Sequence, residues 1–360
     1  MPFFRKKTPD AEPLPDPEAP QPRRIRRRTV IAGAVGLVGV GAATAGYFTY
    51  LAPSGDVSRY AAHLVDDDRD LRAGEVRVTF LGTTTLLVDD GVTQLLFDAF
   101  LTDVPLTTAL FGDLKTDEGK VDRTLAAVGA DRVKAVFVSH SHYDHSLDAA
   151  YLTRKTGAVL HGSESTLNVG RGGGVPEERL APYETGKPLR IGDFTVTVLA
   201  SKHSPGTVGG DGTPITGPLA QPAKAGDYLE GGSFDFLVEH GGHSLLVKAS
   251  AGFLPGGLDG VRADALFCGT AGSFGKDAAF REEFHREVVS TVDPKLFVPL
   301  HWNDFFTPVT GDLTANMKAV DDVAAAWDYL IARLEERRAR FAVLQGYRAV
   351  ILFGSPDRAA

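Results

Sequence analysis

The chain contains 360 residues and carries a formal net charge of −8. This length suffices for one large α/β domain with a substantial core, or for two smaller domains. The acidic balance makes nucleic acid a poor partner, because basic patches supply most of the affinity for phosphate backbones. The single cysteine, Cys268, excludes an internal disulfide and a thiolate zinc cluster, so metal binding would have to use histidine and carboxylate side chains.

The first 51 residues differ in composition from the rest of the chain. Residues 1–28 are rich in proline and charge and are predicted to be a disordered leader, which ends in the basic run 23–28. Residues 29–51 carry no charged side chain, and a helix of this length would cross a ~30 Å hydrocarbon layer. Because the arginines would stay in the cytoplasm, everything after Leu51 is expected outside it.

Two interpretations of this segment stay open. Arg27 and Arg28, followed by a run rich in glycine and alanine, resemble a twin-arginine export signal, with a candidate cleavage site at 43–45. The alternative is an uncleaved single-span anchor, for which the aromatic residues within 47–50 would form an interfacial belt. Both interpretations predict an exported protein at the outer side of the cytoplasmic membrane.

The remaining chain alternates between strand-like and helix-like segments. Residues 52–73 are predicted to be a linker or helix, and residues 74–360 one folded domain. Amphipathic spacing predicts helices over 147–156, with Asp148 in the first turn, and over 315–340. Runs of β-branched and apolar residues predict strands. These strands cover residues 76–81, 84–88, 93–97, 133–138, 159–163, 194–199, 234–239, 244–248, 296–300 and 349–353.

Four potential metal ligands lie within the run Ser-His-Ser-His-Tyr-Asp-His at 139–145. His142 and His145 are an odd number of residues apart, and strand side chains alternate with period two, so the run predicts a loop. This loop follows the predicted strand 133–138 and would hold its ligands at the strand's C-terminal end. Imidazole and carboxylate groups held in this way can converge on one or two cations such as Zn²⁺.

The pattern His-x-His-x-Asp-His at 140–145 resembles the signature of the metallo-β-lactamase fold superfamily. Three further positions, Asp98, His203 and His301, each follow a strand-like run and extend the resemblance over about residues 75–353. The resemblance implies an α/β fold, a four-layer αβ/βα sandwich with the metal site at the sheet edges. The segment 204–232 is dense in glycine and proline and is expected to form a binding loop or lid over that site.

The same resemblance implies a ligand set and a chemical role. Asp144 would orient a metal-bound water or relay its proton, and would therefore be the catalytic residue. Zinc is the expected metal, with manganese and iron as alternatives. The implied ligands are His140, His142 and His203 for one ion, and Asp144, His145 and His301 for a second ion or a half-site.

Two positions depart from the family pattern. Where the family has a strand-end aspartate that bridges two metal ions, this chain has Ser250. A neutral hydroxyl is a poor ligand for a divalent ion, so one tightly bound ion and a weakly bound second are expected. Asp304 is a candidate for the missing carboxylate, with an ordinary loop residue as the alternative. Where the lactonase relatives have Gly-His, the chain has Gly82 and Thr83.

The pairing of His-Tyr-Asp-His at 142–145 with a late Pro-Leu-His-Trp segment at 299–302 is similar to N-acyl-phosphatidylethanolamine phospholipase D and the ascorbate-phosphate lactonases. The resemblance implies a metal-dependent hydrolase acting on a phosphodiester or lactone in a small-molecule or lipid-like substrate, and the N-terminal segment adds the expectation of export. Its membrane contact would run through the N-terminal segment if that segment is uncleaved. Two rivals stay open, a β-lactamase proper and a non-catalytic metal-binding envelope protein. His161 is either a pocket residue or a core histidine.

Overall fold

Two mixed β-sheets form the centre of the fold. The computed structural model describes residues 47–205 and 209–353, and within these ranges each sheet has seven strands. The first sheet contains β1 (Val76–Phe80), β2 (Leu86–Asp89), β3 (Gln94–Phe97), β4 (Val133–Phe137), β5 (Val159–Gly162), β6 (Leu180–Pro182) and β14 (Ala349–Leu352). The second contains β7 (Pro188–Ile191), β8 (Phe194–Ser201), β9 (Ser233–His240), β10 (His243–Lys248), β11 (Ala265–Gly269), β12 (Leu296–Leu300) and β13 (Arg340–Phe341).

The strand order places the end of β4 beside the ends of its parallel neighbours. The loop at 139–145 that follows β4 and carries the predicted ligands is called the metal loop below. The first sheet has the order β14-β1-β2-β3-β4-β5-β6, and the second has the order β13-β12-β11-β10-β9-β8-β7. Strands β3, β4 and β5 are mutually parallel, as are β10, β11 and β12. Carboxyl ends of parallel strands meet at the same sheet edge, so the loops that follow them can build one site.

Aromatic side chains fill the space between the two sheets. The ring of Phe236 on β9 lies 5.3 Å from that of Phe97 on β3 and 5.6 Å from that of Phe137 on β4, measured between centroids. All three side chains are fully buried. Burial of one such side chain contributes roughly 1.5–3 kcal/mol relative to exposure, so this contact is a principal source of attachment between the sheets.

Helices cover the outer face of each sheet. Leu125 and Leu152 pack with the β3 and β4 residues Leu96 and Val136, while Trp327 packs against Trp302 with ring centroids 5.1 Å apart. The layers are therefore helix, sheet, sheet and helix, which confirms the predicted αβ/βα sandwich. The helices are α1 (Leu106–Phe111), α2 (Glu118–Ala127), α3 (Tyr143–Ser146), α4 (Ala149–Thr156), α5 (Glu164–Gly172), α6 (Ser273–Lys276), α7 (Ala278–Phe284), α8 (Ser290–Val292) and α9 (Val323–Glu336).

Asp148 has a different role from the one that its helical position predicts. Helix α4 begins at Ala149, and the Asp148 side chain makes no capping hydrogen bond to it. Its fully buried carboxylate instead accepts hydrogen bonds from the backbone N–H groups of Leu101 and Thr102, at 2.6 and 2.8 Å, and from the Thr102 hydroxyl at 2.7 Å. The contact holds the segment after Asp98 against the metal loop, which a local pattern could not predict.

The last helix is shorter than the sequence predicts. The spacing predicts a helix over 315–340, whereas α9 runs from Val323 to Glu336. Asp322 is the N-cap, and its carboxylate accepts from the N–H of Ala325 at 3.1 Å. A carboxylate that satisfies an orphan N–H at this point fixes the start of the helix, although apolar residues continue upstream.

The segment before the first sheet packs onto the second sheet's helical layer. Residues Val57–His63 form a 3₁₀ helix, and the Tyr60 ring is buried against Trp327 with centroids 4.9 Å apart. The Tyr60 hydroxyl donates to Asp328 Oδ1 at 2.7 Å. These contacts attach the predicted linker 52–73 to helix α9.

The predicted leader 1–28 and most of the signal or anchor 29–51 lie outside the described residues. Residues Tyr47–Leu51 form a short π-helix. Among the helices in the described ranges, none combines the length and apolar character that crossing a membrane requires.

Candidate metal centre

The metal loop changes from extended chain to helix in its middle. Strand β4 ends at Phe137, and His142 is the N-cap of α3, where its carbonyl accepts from the N–H groups of His145 and Ser146. The prediction of a loop therefore holds only up to His142. The change in backbone geometry places His140 and His142 on the loop but Asp144 and His145 on the first helical turn, so the two pairs face different positions.

The structure gathers all six predicted ligands into two groups. Within each group, one ligand atom from each residue lies within 4.8 Å of the others. The grouping is the one that the sequence predicts, although metal binding itself stays a prediction. The first group comprises His140, His142 and His203, and the second comprises Asp144, His145 and His301.

The two groups are neighbours. The rings of His140 and His145 lie 3.8 Å apart between centroids. In the second group, Asp144 Oδ2 lies 3.2 Å from His301 Nε2 and 3.6 Å from His145 Nε2. One carboxylate thus contacts two imidazoles beside a third that belongs to the other group, which is the arrangement needed for a shared centre of one or two ions.

The carboxylate of Asp98 contacts the first and last residues of the metal loop. Asp98 has a left-handed backbone, with φ of 56°, and is almost fully buried. Its carboxylate accepts from the N–H of Ser139 at 2.7 Å and from the Thr84 hydroxyl at 2.6 Å, and it lies 2.9 Å from His145 Nδ1. A carboxylate on Nδ1 fixes the tautomer of the imidazole and leaves Nε2 for a metal.

The first group fits a divalent cation. His140 Nε2 is buried and has no hydrogen-bond partner among the described residues, while its Nδ1 lies 3.2 Å from the Ser139 hydroxyl. A buried nitrogen without a partner is costly, and a cation would satisfy it. Burial lowers the pKa of His140 well below its usual range, and burial together with the nearby His142 and His145 lowers the pKa of His203 to about 3. The imidazoles are therefore neutral and able to bind metal.

The second group carries charge of both signs. Burial would raise the pKa of Asp144, but the charge of His145 and the hydrogen bond with His301 outweigh it and hold this pKa below its usual range. Burial likewise opposes the charged form of His145, but the carboxylates of Asp144 and Asp98 raise the pKa of that imidazole. A divalent cation would displace the proton of the His145 imidazolium, because metal binding to imidazole generally releases a proton.

Backbone contacts hold the last ligand. The His301 N–H donates to the carbonyl of Thr83 at 2.6 Å, and the Thr83 N–H donates to Asn303 Oδ1 at 2.9 Å. Both His301 and Thr83 have left-handed backbones, with φ of 59° and 53°. Thr83, which stands where the lactonase relatives have histidine, therefore serves the site through its backbone.

Ser250 and Asp304, the candidate for the missing carboxylate, make different contacts. The Ser250 hydroxyl accepts from the N–H of Ser204 at 2.8 Å, so it contacts the residue after a predicted ligand. Asp304 lies outside both ligand groups, and its carboxylate accepts from the N–H of Phe306 at 3.0 Å. The structure therefore does not support Asp304 as a replacement for the missing bridge, because its carboxylate stabilises its own turn.

The segment 204–232 lies against the metal loop in the part that the structure describes. The Gly209 carbonyl is 3.4 Å from His142 Nε2, and the Glu230 carbonyl accepts from the N–H of Ser141 at 2.9 Å. The buried Glu230 carboxylate accepts from the Gly212 N–H at 2.9 Å and from the Ser233 hydroxyl at 2.7 Å. Sequence reasoning missed Glu230, because no pattern around it distinguishes it from a loop carboxylate.

His161 stands apart from both groups. Its ring stacks on Phe137, with centroids 4.7 Å apart and planes 15° from parallel. Burial lowers its pKa to about 4. Of the two interpretations left open, the stacked geometry favours a core histidine.

The chain is similar over part of its length to proteins of known family. Residues 78–247 match the family described as Metallo-beta-lactamase superfamily. A UPF0173 metal-dependent hydrolase of Heliobacterium modesticaldum is 26% identical over 272 residues, which cover 71% of this chain and 94% of the relative. A second, from Carboxydothermus hydrogenoformans, is 27% identical over 233 residues, covering 63% and 85%.

Among solved structures, the chain is similar to Igni18, described as a novel metallo hydrolase from Ignicoccus hospitalis. The TM-score is 0.48 at 14% identity, and the match covers 78% of this chain and 100% of the other. The family match begins within β1 and ends within β10, and it includes the whole metal loop and His203. Residues 78–247, somewhat less than half of the chain, therefore match the Metallo-beta-lactamase superfamily.

Proposed function

We propose that this metal-dependent hydrolase of the metallo-beta-lactamase superfamily acts outside the cytoplasm on an ester-type bond, either a phosphodiester or a lactone. The observation that carries the proposal is the pair of adjacent ligand groups at the edge of the two sheets, with Asp144 Oδ2 3.2 Å from His301 Nε2. Such a site would hold a cation beside a carboxylate, as hydrolysis by an activated water requires.

Zinc suits the donors, since imidazole and carboxylate are its usual ligands where thiolate is absent. Manganese and iron accept the same donors. His140, His142 and His203 would hold the tightly bound ion, and Asp144, His145 and His301 a weaker one. When bound, the ion lowers the pKa of a coordinated water towards ~7 and so supplies hydroxide at neutral pH.

Asp144 is the proposed catalytic residue. Its lowered pKa keeps the carboxylate ionised at neutral pH, so it can accept a hydrogen bond from the attacking water and orient it. Its contact with His301 fixes the direction of that carboxylate. The chain thus supplies orientation and a negative charge next to the water.

Apolar side chains beside the site support a substrate with a hydrophobic part. The ring of Phe305 lies 5.2 Å from that of His301, and Tyr143 contacts Phe100 with centroids 5.9 Å apart. Tyr143 and Phe305 pack against a buried apolar cluster that Ala109 of helix α1 also contacts, and the same helix carries Phe111, which lies outside the cluster and is 72% exposed. A lipid-like ester would place its apolar part on such a surface.

The test is hydrolysis by the metal-loaded full chain of a generic phosphodiester, a set of lactones and a cephalosporin. We expect turnover of a phosphodiester or a lactone, with a rate lower by roughly two orders of magnitude or more in His142→Ala, which removes a ligand. His161→Ala is the matched control and should keep most of the activity, because His161 lies outside both ligand groups. Metal analysis after dialysis should give one tightly held ion per chain.

The rivals make different predictions in the same assay. Turnover of the cephalosporin alone would identify a β-lactamase proper. A chain that binds metal but hydrolyses none of these compounds would be a metal-binding envelope protein. The neutral Ser250 in place of a bridging aspartate favours this interpretation over catalysis with two metal ions.

A further inference from the structure

The loop that carries His203 is held by a strand that is not its neighbour in the sheet. Strands β8 and β10 flank β9 and are both antiparallel to it, so β8 and β10 run in the same direction and end at the same edge. The chain leaves β8 at Ser201 and passes the start of β9 at Ser233. Residues 201–204 thereby come into contact with the residues that leave β10.

Three alternate residues at the end of β10 make these contacts. Lys248 Nζ donates to the Ser201 hydroxyl at 2.8 Å. The Ser250 hydroxyl accepts from the N–H of Ser204 at 2.8 Å. At Gly252, a Cβ atom would lie 2.2 Å from the carbonyl oxygens of both Lys202 and His203, so only glycine permits this approach of the two backbones.

The Lys248 contact is costly to break. Lys248 and Asp235 are 1% and 3% exposed, and Nζ lies 3.0 Å from Asp235 Oδ2. A buried ammonium needs its hydrogen bonds, because water cannot replace them. The Ser201 hydroxyl therefore accepts a charge-assisted bond, which is stronger than a neutral one, two residues before His203.

We propose that Lys248, Ser250 and Gly252 form a clamp, and that Ser250 is a positioning residue for His203 that sets the affinity of the His140, His142 and His203 group for a divalent cation. Ser250 acts on the backbone N–H of Ser204 and therefore contributes to the site through His203. The inference rests on the proposed metal site, but it does not depend on which bond the protein hydrolyses.

The test is the dissociation constant for Co²⁺, measured on the full chain by competition with a chromophoric chelator, together with the visible spectrum of the Co²⁺-loaded protein. Ser250→Ala should raise the constant about 10- to 100-fold, the usual effect of losing an outer contact to a ligand, and should change the spectrum. Ser250→Thr keeps the hydroxyl, so its dissociation constant and its spectrum should match those of the wild type. His203→Ala gives the reference for loss of the ligand itself.

Ser244→Ala is the matched control. Ser244 lies at the other end of β10, where its hydroxyl donates to the carbonyl of Arg262 at 3.3 Å, so its loss should leave both the constant and the spectrum unchanged. Ser201→Ala removes the second contact of the clamp and should also weaken Co²⁺ binding. If thermal melting shows that Ser250→Ala does not fold, the Co²⁺ affinity of Ser201→Ala tests the proposal in its place.

A dissociation constant within twofold of wild type in both Ser250→Ala and Ser201→Ala would overturn the proposal, as would an equal loss in Ser244→Ala. Because the readout is metal binding, a chain that fails to hydrolyse any ester can still pass this test. Conversely, a chain that hydrolyses an ester can still fail this test, so failure of the clamp and failure of the proposed function are distinguishable.

Discussion

At the scale of single residues, Asp98 does more than form a turn, because its carboxylate accepts a hydrogen bond from Ser139 and lies next to the His145 imidazole. Asp98→Asn keeps the shape but removes the charge beside His145. We expect metal affinity to fall about 10- to 100-fold and the free energy of unfolding to fall by roughly 1–3 kcal/mol, because the amide cannot accept from all of the present donors. Metal competition and denaturant unfolding measure the two effects.

The matched control for that substitution is Asp89→Asn. Asp89 is a buried aspartate on β2 that pairs with Arg132 at 2.9 Å, and it belongs to neither ligand group. Its loss should lower stability without changing metal affinity. If Asp98→Asn binds metal as wild type does, Asp98 is a fold residue alone.

His161 predicts a pH dependence of stability. Its pKa is about 4 in the folded chain and ~6.5 when unfolded, so between these values the unfolded chain binds a proton that the folded chain refuses. The stabilisation is complete above pH 6.5 and is lost as the pH falls towards 4. Denaturant unfolding from pH 7 to 4.5 should show His161→Phe losing less stability than wild type, since phenylalanine keeps the stack on Phe137 but binds no proton.

The decisive quantity is the difference between the two slopes of unfolding free energy against pH. Parallel curves for wild type and His161→Phe would show that other groups account for the whole acid sensitivity. Glu335→Gln, on an exposed side chain, provides a surface control that should follow wild type.

At the scale of elements, the N-cap of α9 decides where the helix begins. Asp322→Ala removes the acceptor for the Ala325 N–H and should lower the free energy of unfolding by about 1 kcal/mol, within the 0.5–2 kcal/mol range of such caps. Chemical denaturation measures it. Glu335→Ala, in the last turn of the same helix, should change stability by less than about 0.5 kcal/mol, and equal losses in both variants would remove the capping argument.

Helix α3 shows how one short element organises the site. Its four residues place Asp144 and His145 on successive positions, while the N-cap His142 stays on the loop. Successive helical side chains diverge by about 100°, so Asp144 and His145 approach the second group from different directions. The same spacing in an extended chain would have separated them.

At the scale of the whole molecule, the proposed export depends on residues 1–51. Residues 1–28 hold more basic than acidic side chains, so the remainder is more acidic than the whole chain. A fusion of residues 1–55 to a reporter active only outside the cytoplasm should give signal, because a basic run precedes an uncharged segment of spanning length. A reporter that stays inactive contradicts export.

Replacement of Arg27 and Arg28 by lysine in that fusion separates the two interpretations. Loss of export on this change of chemistry, at constant charge, indicates a twin-arginine signal, whereas unchanged export indicates a charge-oriented anchor. Fractionation of the unaltered fusion then shows whether its product is cleaved and released or is retained in the membrane.

The sequence by itself determined those features whose chemistry is local. The His-x-His-x-Asp-His run and the strand before it predicted a loop of potential metal ligands at a strand end. Their resemblance, together with Asp98, His203 and His301, to the metallo-β-lactamase superfamily implied the fold and the grouping of six ligands. The loop and strand predictions depend on patterns within a few residues, such as strand alternation.

Tertiary structure alone decided the features that join distant segments. The buried pair of Lys248 and Asp235, the clamp on the His203 loop and the role of Asp148 each unite residues that no local pattern relates. The start of α9 was also decided in this way, because apolar spacing favoured a longer helix whereas the Asp322 cap makes the helix begin at Val323. The physical reason is that a polar side chain is satisfied by whichever partner the packed strands bring within hydrogen-bond distance, and that partner is chosen by sheet order.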